Sequence, residues 1–112
     1  MVAKYVRIKN KIKMKLNEIT KKVKELAQKS PGDMDSVVKF VFDDGCVRVD
    51  DTVTPPNVSN EDKDAHCTIT LNNETFTQLL NKETSSMNAF MSGKMKIDGD
   101  MSVAMKLSSI FG

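Results

Sequence analysis

The feature that most constrains the fold is an alternating apolar segment interrupted by an Asp-Gly turn, in the stretch SVVKFVFDDGCVRVDD. In its first half, Val38, Phe40 and Phe42 occupy every second position, which is the period of a strand with one buried face. Asp-Gly supplies the positive φ that a tight hairpin turn requires, and apolar residues resume at Cys46. The stretch therefore predicts a β-hairpin of two antiparallel strands.

Apolar residues at steps of three and four precede this hairpin and predict an amphipathic helix. Lys and Asn fill the other faces, and SPGD at residues 30–33 ends the helix because Pro and Gly do not comfortably continue it. One sustained helix is expected to carry the apolar stripe Tyr5, Ile8, Ile12, Leu16, Ile19, Val23 and Leu26.

The remaining sequence alternates strand and helix patterns. The polar loop TVTPPNVSNEDKDA contains two prolines and, at residues 52–54, the candidate for a fifth, edge strand. The apolar residues of HCTITL and of KMKID alternate, which predicts two further strands. Those of NNETFTQLLNKE and SSMNAFMSG have helical spacing, and a last helix is expected to begin near Asp100 or Ser102. This order predicts an α+β class, with one domain over residues 1–112 and helices packed over one face of a small, mostly antiparallel sheet.

Charge is distributed unevenly along the chain. Residues 1–30 carry ten Lys/Arg against two Glu, or +8, and residues 31–112 carry seven Lys/Arg against thirteen Asp/Glu, or −6. The basic helix is interpreted either as a solvated face or as a surface for anionic lipid. We expect no nucleic-acid partner, because the few aromatics form no base-stacking platform. No exported or membrane-spanning form is expected, since no apolar run approaches the ~20 residues that cross a bilayer and the N-terminus lacks the apolar region of a signal peptide.

Signatures of catalysis and metal binding are absent from the sequence. It contains no G-x-S-x-G elbow, P-loop, H-E-x-x-H or dinucleotide glycine motif. Cys46 and Cys67 are interpreted as small buried apolar side chains, and His66 should point to the strand face opposite Cys67. Acidic pairs such as Asp50 and Asp51 are interpreted as solvated charge in turns. The sequence predicts no catalytic residue, no metal and no cofactor.

The C-terminal half is rich in flexible apolar side chains. FMSGKMKIDGDMSVAMKL, at residues 90–107, contains four of the eight methionines. Methionines can line an adaptable pocket, and they can equally fill an ordinary core. Spacing alone leaves both interpretations open.

Several stretches together resemble the sterol carrier protein 2 family: CTITLNNETFTQLLNKE, AFMSGKMKIDGDMSVAMKL, and the hairpin VKFVFDDG with the amphipathic helix before it. The likeness is strongest over residues 90–107, where motif and spacing agree. It implies a largely antiparallel five-stranded sheet with helices over one face and an apolar cavity between them. It also implies non-enzymatic intracellular binding and transfer of fatty acid, fatty acyl-CoA, sterol or phospholipid.

The resemblance further assigns candidate ligand-binding residues around this cavity. The helix of NNETFTQLLNKE would form a wall, the short helix a cover, the KMKID strand a floor, and the last helix a lid. These cavity-lining candidates are Phe76, Leu79, Leu80, Met87, Phe90, Met91, Met95, Ile97, Met101, Ala104, Met105, Ile110 and Phe111.

Two departures from the longer family members bear on location and role. The chain ends in IFG rather than in a peroxisomal Ser-Lys-Leu-type tripeptide, and it lacks tryptophan. It therefore resembles the short, stand-alone bacterial type, for which a cytoplasmic location is expected. Some such relatives present an isoprenoid-quinone precursor to biosynthetic enzymes, so an accessory or scaffold protein with an enzyme partner is the alternative. Otherwise the expected partners are a lipid and, weakly, an anionic membrane surface contacted by the basic N-terminal helix.

Overall fold

A computed structural model describes residues 14–111 of the chain, and their side chains through Lys106. The predicted helical positions Tyr5, Ile8 and Ile12 lie outside the described residues. Within the described part, helices and strands alternate much as the sequence predicts, and the α+β class is confirmed. The elements are α1 Leu16–Lys29, β1 Val37–Phe42, β2 Gly45–Asp50, β3 Asn57–Ser59, β4 Cys67–Leu71, α2 Asn73–Leu80, α3 Ser86–Met91, β5 Met95–Gly99 and α4 Met101–Phe111.

The five strands form one mixed sheet in the order β3-β2-β1-β4-β5. The predicted hairpin is confirmed, because β1 and β2 pair antiparallel around a turn at which Gly45 has a φ of +146°. Pairs β2–β3 and β4–β5 are also antiparallel, whereas the central pair β1–β4 is parallel. The sheet is thus mostly antiparallel, as predicted, with a parallel centre that the hairpin pattern did not indicate.

One face of the sheet is apolar and the other is largely polar. Phe40 on β1 lies opposite Val47 on β2 and Ile69 on β4, and Ile69 lies opposite Ile97 on β5. The first three of these side chains are buried and Ile97 packs against the same core. The neighbouring row of residues across the sheet, one position further along each strand, includes Lys39, and its side chains point to the opposite face. The helices pack against the apolar face, which becomes the core.

The predicted continuous helix is wrong at residues 14 and 15, which are not helical, and the helix that carries Ile19 begins at Leu16. Lys15 is its N-cap, with extended backbone at φ −85° and ψ 160°. The Lys15 N–H donates to the Glu18 carboxylate at 3.1 Å, and the Leu16 N–H donates to the Asp44 carboxylate at 3.0 Å. These acceptors satisfy helix N–H groups that lack intrahelical partners, so they define the start of the helix.

The fifth strand is Asn57–Ser59, and the expectation that residues 52–54 supply it is wrong. Residues 52–54 instead lie in turns and bends. The Asp50 carboxylate accepts the Thr52 N–H at 3.0 Å, which bends the chain immediately after β2. Only beyond the prolines does the chain return alongside β2, where Val58 lies opposite Val49.

The interpretation of Asp51 as a solvated turn charge is also wrong. Asp51 is 3% exposed, and its carboxylate accepts the N–H groups of Gly32, Met34 and Asp35 at 2.9, 2.9 and 3.3 Å. A buried carboxylate is stable where backbone donors replace its lost water. Asp51 therefore fixes the loop between α1 and β1 to the end of β2.

Candidate functional site

An apolar cavity of about 320 Å³ lies between the sheet and the last three helices. Its volume is at the lower end of the range for small-molecule pockets. Strands β1, β4 and β5 form the floor, α2 and α3 form the walls, and the start of α4 closes it. The lining residues are Phe40, Ile69, Leu71, Phe76, Leu79, Ser86, Met87, Phe90, Met95, Ile97, Met101, Ala104 and Met105.

The floor follows from the register of three neighbouring strands. Phe40 lies beside Ile69, Ile69 beside Ile97, and Leu71 beside Met95, so all five project from the same face. Phe40, Ile69, Leu71 and Met95 are buried. The floor is therefore buried for the most part and uniformly apolar.

Helix α2 supplies the deepest wall through Phe76 and Leu79, both buried. The ring of Phe76 packs edge-on against Phe42, with centroids 5.3 Å apart and planes at 82°. The Asn72 side chain caps this helix by accepting the Thr75 N–H at 2.7 Å.

Asn73, the first residue of α2, connects three parts of the fold. It is 2% exposed; its side-chain oxygen accepts the Asp43 N–H at 3.1 Å, and its Nδ2 donates to the Met14 carbonyl and the Asp44 carboxylate at 2.8 and 2.9 Å. One amide thus joins the hairpin turn, the entry to α1 and the start of the cavity wall. The position of the wall depends on this contact.

The rim of the cavity is formed by exposed apolar side chains. Met87 and Met105 are 70% and 74% exposed, and Phe90 and Met101 are also exposed. Exposed apolar side chains that are grouped this closely more often mark an interaction surface than arise by chance. Methionine side chains are flexible, so this rim can adapt to differently shaped apolar molecules.

The chemistry of the lining is almost purely apolar. None of the thirteen lining residues has a titratable side chain, and Ser86 is the polar member. Among the described residues, no group of three or more His, Cys, Asp and Glu is arranged to hold a metal ion. Of the described helices, none has the length and apolar character needed to span a membrane.

The sequence neighbours His66 and Cys67 both serve structural roles. His66 is exposed, and its Nδ1 accepts the Val37 N–H at 2.9 Å. Cys67 is fully buried on the apolar face, and this burial, followed by the charges of Asp100 and Asp98, raises the pKa of its thiol. A thiol held neutral in this way is a poor nucleophile.

Nine of the thirteen sequence-derived candidates are brought together around the cavity: Phe76, Leu79, Met87, Phe90, Met95, Ile97, Met101, Ala104 and Met105. Leu80 and Met91 are not among the lining residues. Leu80 packs partly buried against the core, and Met91 is 77% exposed at the end of α3. Ile110 and Phe111 lie in α4, and their side chains fall outside the described part.

Four lining residues were missed: Phe40, Ile69, Leu71 and Ser86. The first three were recognisable as alternating strand positions, and they belong to the floor because β1, β4 and β5 are neighbours. That strand order was not available from the sequence. Nothing in the sequence indicated that Ser86 lines the cavity, because a serine at the start of a short helix usually has only a local role.

Comparison with known proteins finds one family and one fold. The model of the SCP-2 sterol transfer family matches residues 6–112. Sterol carrier protein 2 of Homo sapiens is 43% identical over 51 residues, which is 46% of this chain and 9% of the human protein. The chain therefore corresponds to a small part of the curated relatives that it matches.

Two solved structures share the fold at low sequence identity. The sterol carrier protein domain 2 of Helicoverpa armigera has a TM-score of 0.69 and 20% identity, covering 84% of this chain and 83% of that one. A protein described as "UbiJ-SCP2 Ubiquinone synthesis protein" has a TM-score of 0.65 and 15% identity, covering 85% and 90%. At these identities the likenesses show the shared fold alone.

Proposed function

This chain belongs to the SCP-2 sterol transfer family, and from that premise we propose that it binds the apolar part of a lipid in its cavity and carries the lipid without catalysing a reaction. Membership of a sterol-transfer family implies lipid binding or transfer. The observation that supports the specific proposal is the cavity itself, which has twelve apolar residues among the thirteen that line it.

The energetics favour alkyl chains or rings as the bound portion. Burial of ten methylenes would contribute about 8 kcal/mol at ~0.8 kcal/mol each. Loss of translational and rotational freedom opposes this, so we expect dissociation constants in the micromolar range or weaker. Because the lining offers a single hydroxyl and a flexible methionine rim, selectivity among fatty acid, acyl-CoA, sterol and phospholipid should be broad.

A carrier role without catalysis is consistent with the side chains present. General acid–base chemistry requires a titratable group within hydrogen-bond reach of the reacting atom. The lining residues that the structure describes include no such group, and the nearby Cys67 thiol is buried and held neutral. We therefore propose transport or presentation of an unmodified lipid.

Displacement of a fluorescent fatty acid tests the proposal directly. Ala104, on α4, lines the cavity and is partly exposed, so Ala104→Trp should place an indole in the space and weaken fatty-acid binding by at least tenfold. Val53→Trp is the matched control, because Val53 is an exposed apolar residue in the turn after β2 and does not line the cavity. Absence of displacement by acyl chains and by sterols in the wild type would refute lipid binding.

A second candidate is an accessory protein that presents a lipid precursor to biosynthetic enzymes. It is supported by the shared fold of the protein described as a ubiquinone synthesis protein. Native co-purification separates the two roles: a stable complex with an enzyme favours presentation, and a lone chain that retains lipid favours carriage.

We also propose weak contact between α1 and anionic membranes. Lys21, Lys22 and Lys24 are exposed on this helix, whereas Ile19 and Val23 are buried against the core. Attraction by exposed lysines is screened by salt, with a Debye length near 10 Å at 0.1 M. Binding to anionic vesicles should therefore fade as salt increases, and equal binding to neutral and anionic vesicles would contradict the proposal.

A further inference from the structure

The hydroxyl group of Ser86 has no hydrogen-bond partner among the described residues, although its Oγ is buried. Buried side-chain polar atoms in folded proteins nearly always have a partner, so an orphan hydroxyl calls for a specific explanation. Ser86 is also the polar member of an otherwise apolar cavity lining. Ser86 thus combines an unpaired buried hydroxyl with a position in the lining of the space proposed to hold lipid.

Helix α3 does not need this hydroxyl for its own structure. Its N-cap is Ser85, whose Oγ accepts the Asn88 N–H at 3.1 Å. At the other end, the Ser92 hydroxyl donates to the Asn88 carbonyl at 2.8 Å. The serines on either side of the helix therefore have local partners, and Ser86, one residue inside the N-terminus, has none.

We propose that the Ser86 hydroxyl donates a hydrogen bond to an uncharged oxygen of the bound lipid, and that this contact selects lipids with a hydroxyl or ester carbonyl inside the cavity. The inference rests on the proposed lipid-binding function and names its ligand class. The oxygen is taken as uncharged because none of the described lining residues is a cation, and a buried carboxylate or phosphate without a counter-charge is strongly disfavoured. A charged headgroup would remain outside the rim.

Three ligands of equal chain length test this assignment: 1-dodecanol, methyl dodecanoate and 1-chlorododecane. The first two present a hydroxyl and a carbonyl oxygen, and the third has no strong acceptor. Affinities are measured on the whole chain from the ¹³C-methyl signals of its methionines, with Met87 next to Ser86 in the lining. Ser86→Ala should weaken binding of an oxygen-bearing ligand about tenfold and leave 1-chlorododecane within about twofold.

Two further variants separate a ligand contact from a structural effect. Ser86→Thr keeps a hydroxyl and should restore the preference for oxygen-bearing ligands. Ser92→Ala removes a hydroxyl at the end of the same helix, outside the cavity, and should change no affinity. Without ligand, Ser86→Ala should unfold at the same temperature as the wild type or at a higher one, since it removes an unpaired buried group.

The outcomes are distinct. A loss for 1-dodecanol, for the ester or for both, with 1-chlorododecane unchanged, supports the proposal and identifies which oxygen is bound. An equal effect of Ser86→Ala on all three ligands, no effect on any, or a lowered unfolding temperature without ligand overturns it while lipid binding stands. Failure of the wild type to bind any of the three overturns the proposed function as well.

Discussion

Replacing Asp51 with Asn should destabilise the fold strongly, although the two side chains have nearly the same shape. One oxygen of the carboxylate accepts the Gly32 N–H, and the other accepts the N–H groups of Met34 and Asp35. An amide at this position must turn its NH₂ group toward one of these sets of donors. At least one backbone N–H then loses its acceptor in a site that is 3% exposed.

The size of the effect follows from the number of bonds involved. A hydrogen bond to a charged group contributes roughly 1.5–3 kcal/mol, so losing one or two of the three gives an expected cost of about 1.5–6 kcal/mol. This is a large fraction of the 5–15 kcal/mol typical of a domain. For a chain of this size, roughly 4 °C of melting temperature accompanies each kcal/mol, which corresponds to a decrease of about 6–24 °C.

Urea unfolding followed by far-ultraviolet circular dichroism measures this cost, because the chain has no tryptophan. Asp64→Asn is the matched control, since it removes the same formal charge from an exposed side chain. The expected result is a lower midpoint for Asp51→Asn with an unchanged m-value. If the free energies of unfolding of the two variants agree within about 0.5 kcal/mol, the backbone contacts of Asp51 do not stabilise the fold as argued.

Three further predictions concern other residues. Asn73→Ala removes three side-chain hydrogen bonds and should cost about 3 kcal/mol of unfolding free energy in the same urea assay, and a cost below about 1 kcal/mol would contradict its connecting role. Gly99→Ala should cost at least about 2 kcal/mol of unfolding free energy, because φ is +110° and a Cβ would collide with the His66 carbonyl. Gly93 also has a positive φ but open space around it, so Gly93→Ala should cost less. Equal costs for the two variants would show that the collision is irrelevant. Burial raises the pKa of the Cys67 thiol, so the stability contributed by its neutral form should be present below about pH 8.5 and lost as the pH rises through the raised pKa. The wild type should therefore lose more unfolding free energy than Cys67→Ala between about pH 8 and pH 10.5. Parallel curves of stability against pH for the two proteins would refute this.

The parts of the fold that sequence could predict are those set by local periodicity. The apolar alternation around Asp-Gly was enough to predict β1 and β2, and the helical spacing of NNETFTQLLNKE was enough to predict α2. These features depend on residues within a few positions of one another. The lining residues on β5 and α4 were assigned from a family resemblance whose local motif is strong.

The features that sequence did not reveal depend on partners distant along the chain. Helix α1 begins at Leu16 because Asp44, 28 residues later, accepts its N–H. The burial of Asp51 depends on a loop 16–19 residues before it. Phe40 belongs to the cavity floor because β1 pairs parallel with β4, a pairing that apolar alternation alone cannot distinguish from others.

The measurement that tests the central claim most directly is a titration of ¹³C-methyl-methionine protein with 1-dodecanol. The methionines sample both the cavity and the core: Met87, Met95, Met101 and Met105 line the cavity, and Met34 is buried in the core and does not line it. A lipid-binding cavity predicts saturable shifts of the first four methyl signals while that of Met34 stays in place. No shifts at all, or shifts of equal size at Met34, would contradict binding in this cavity.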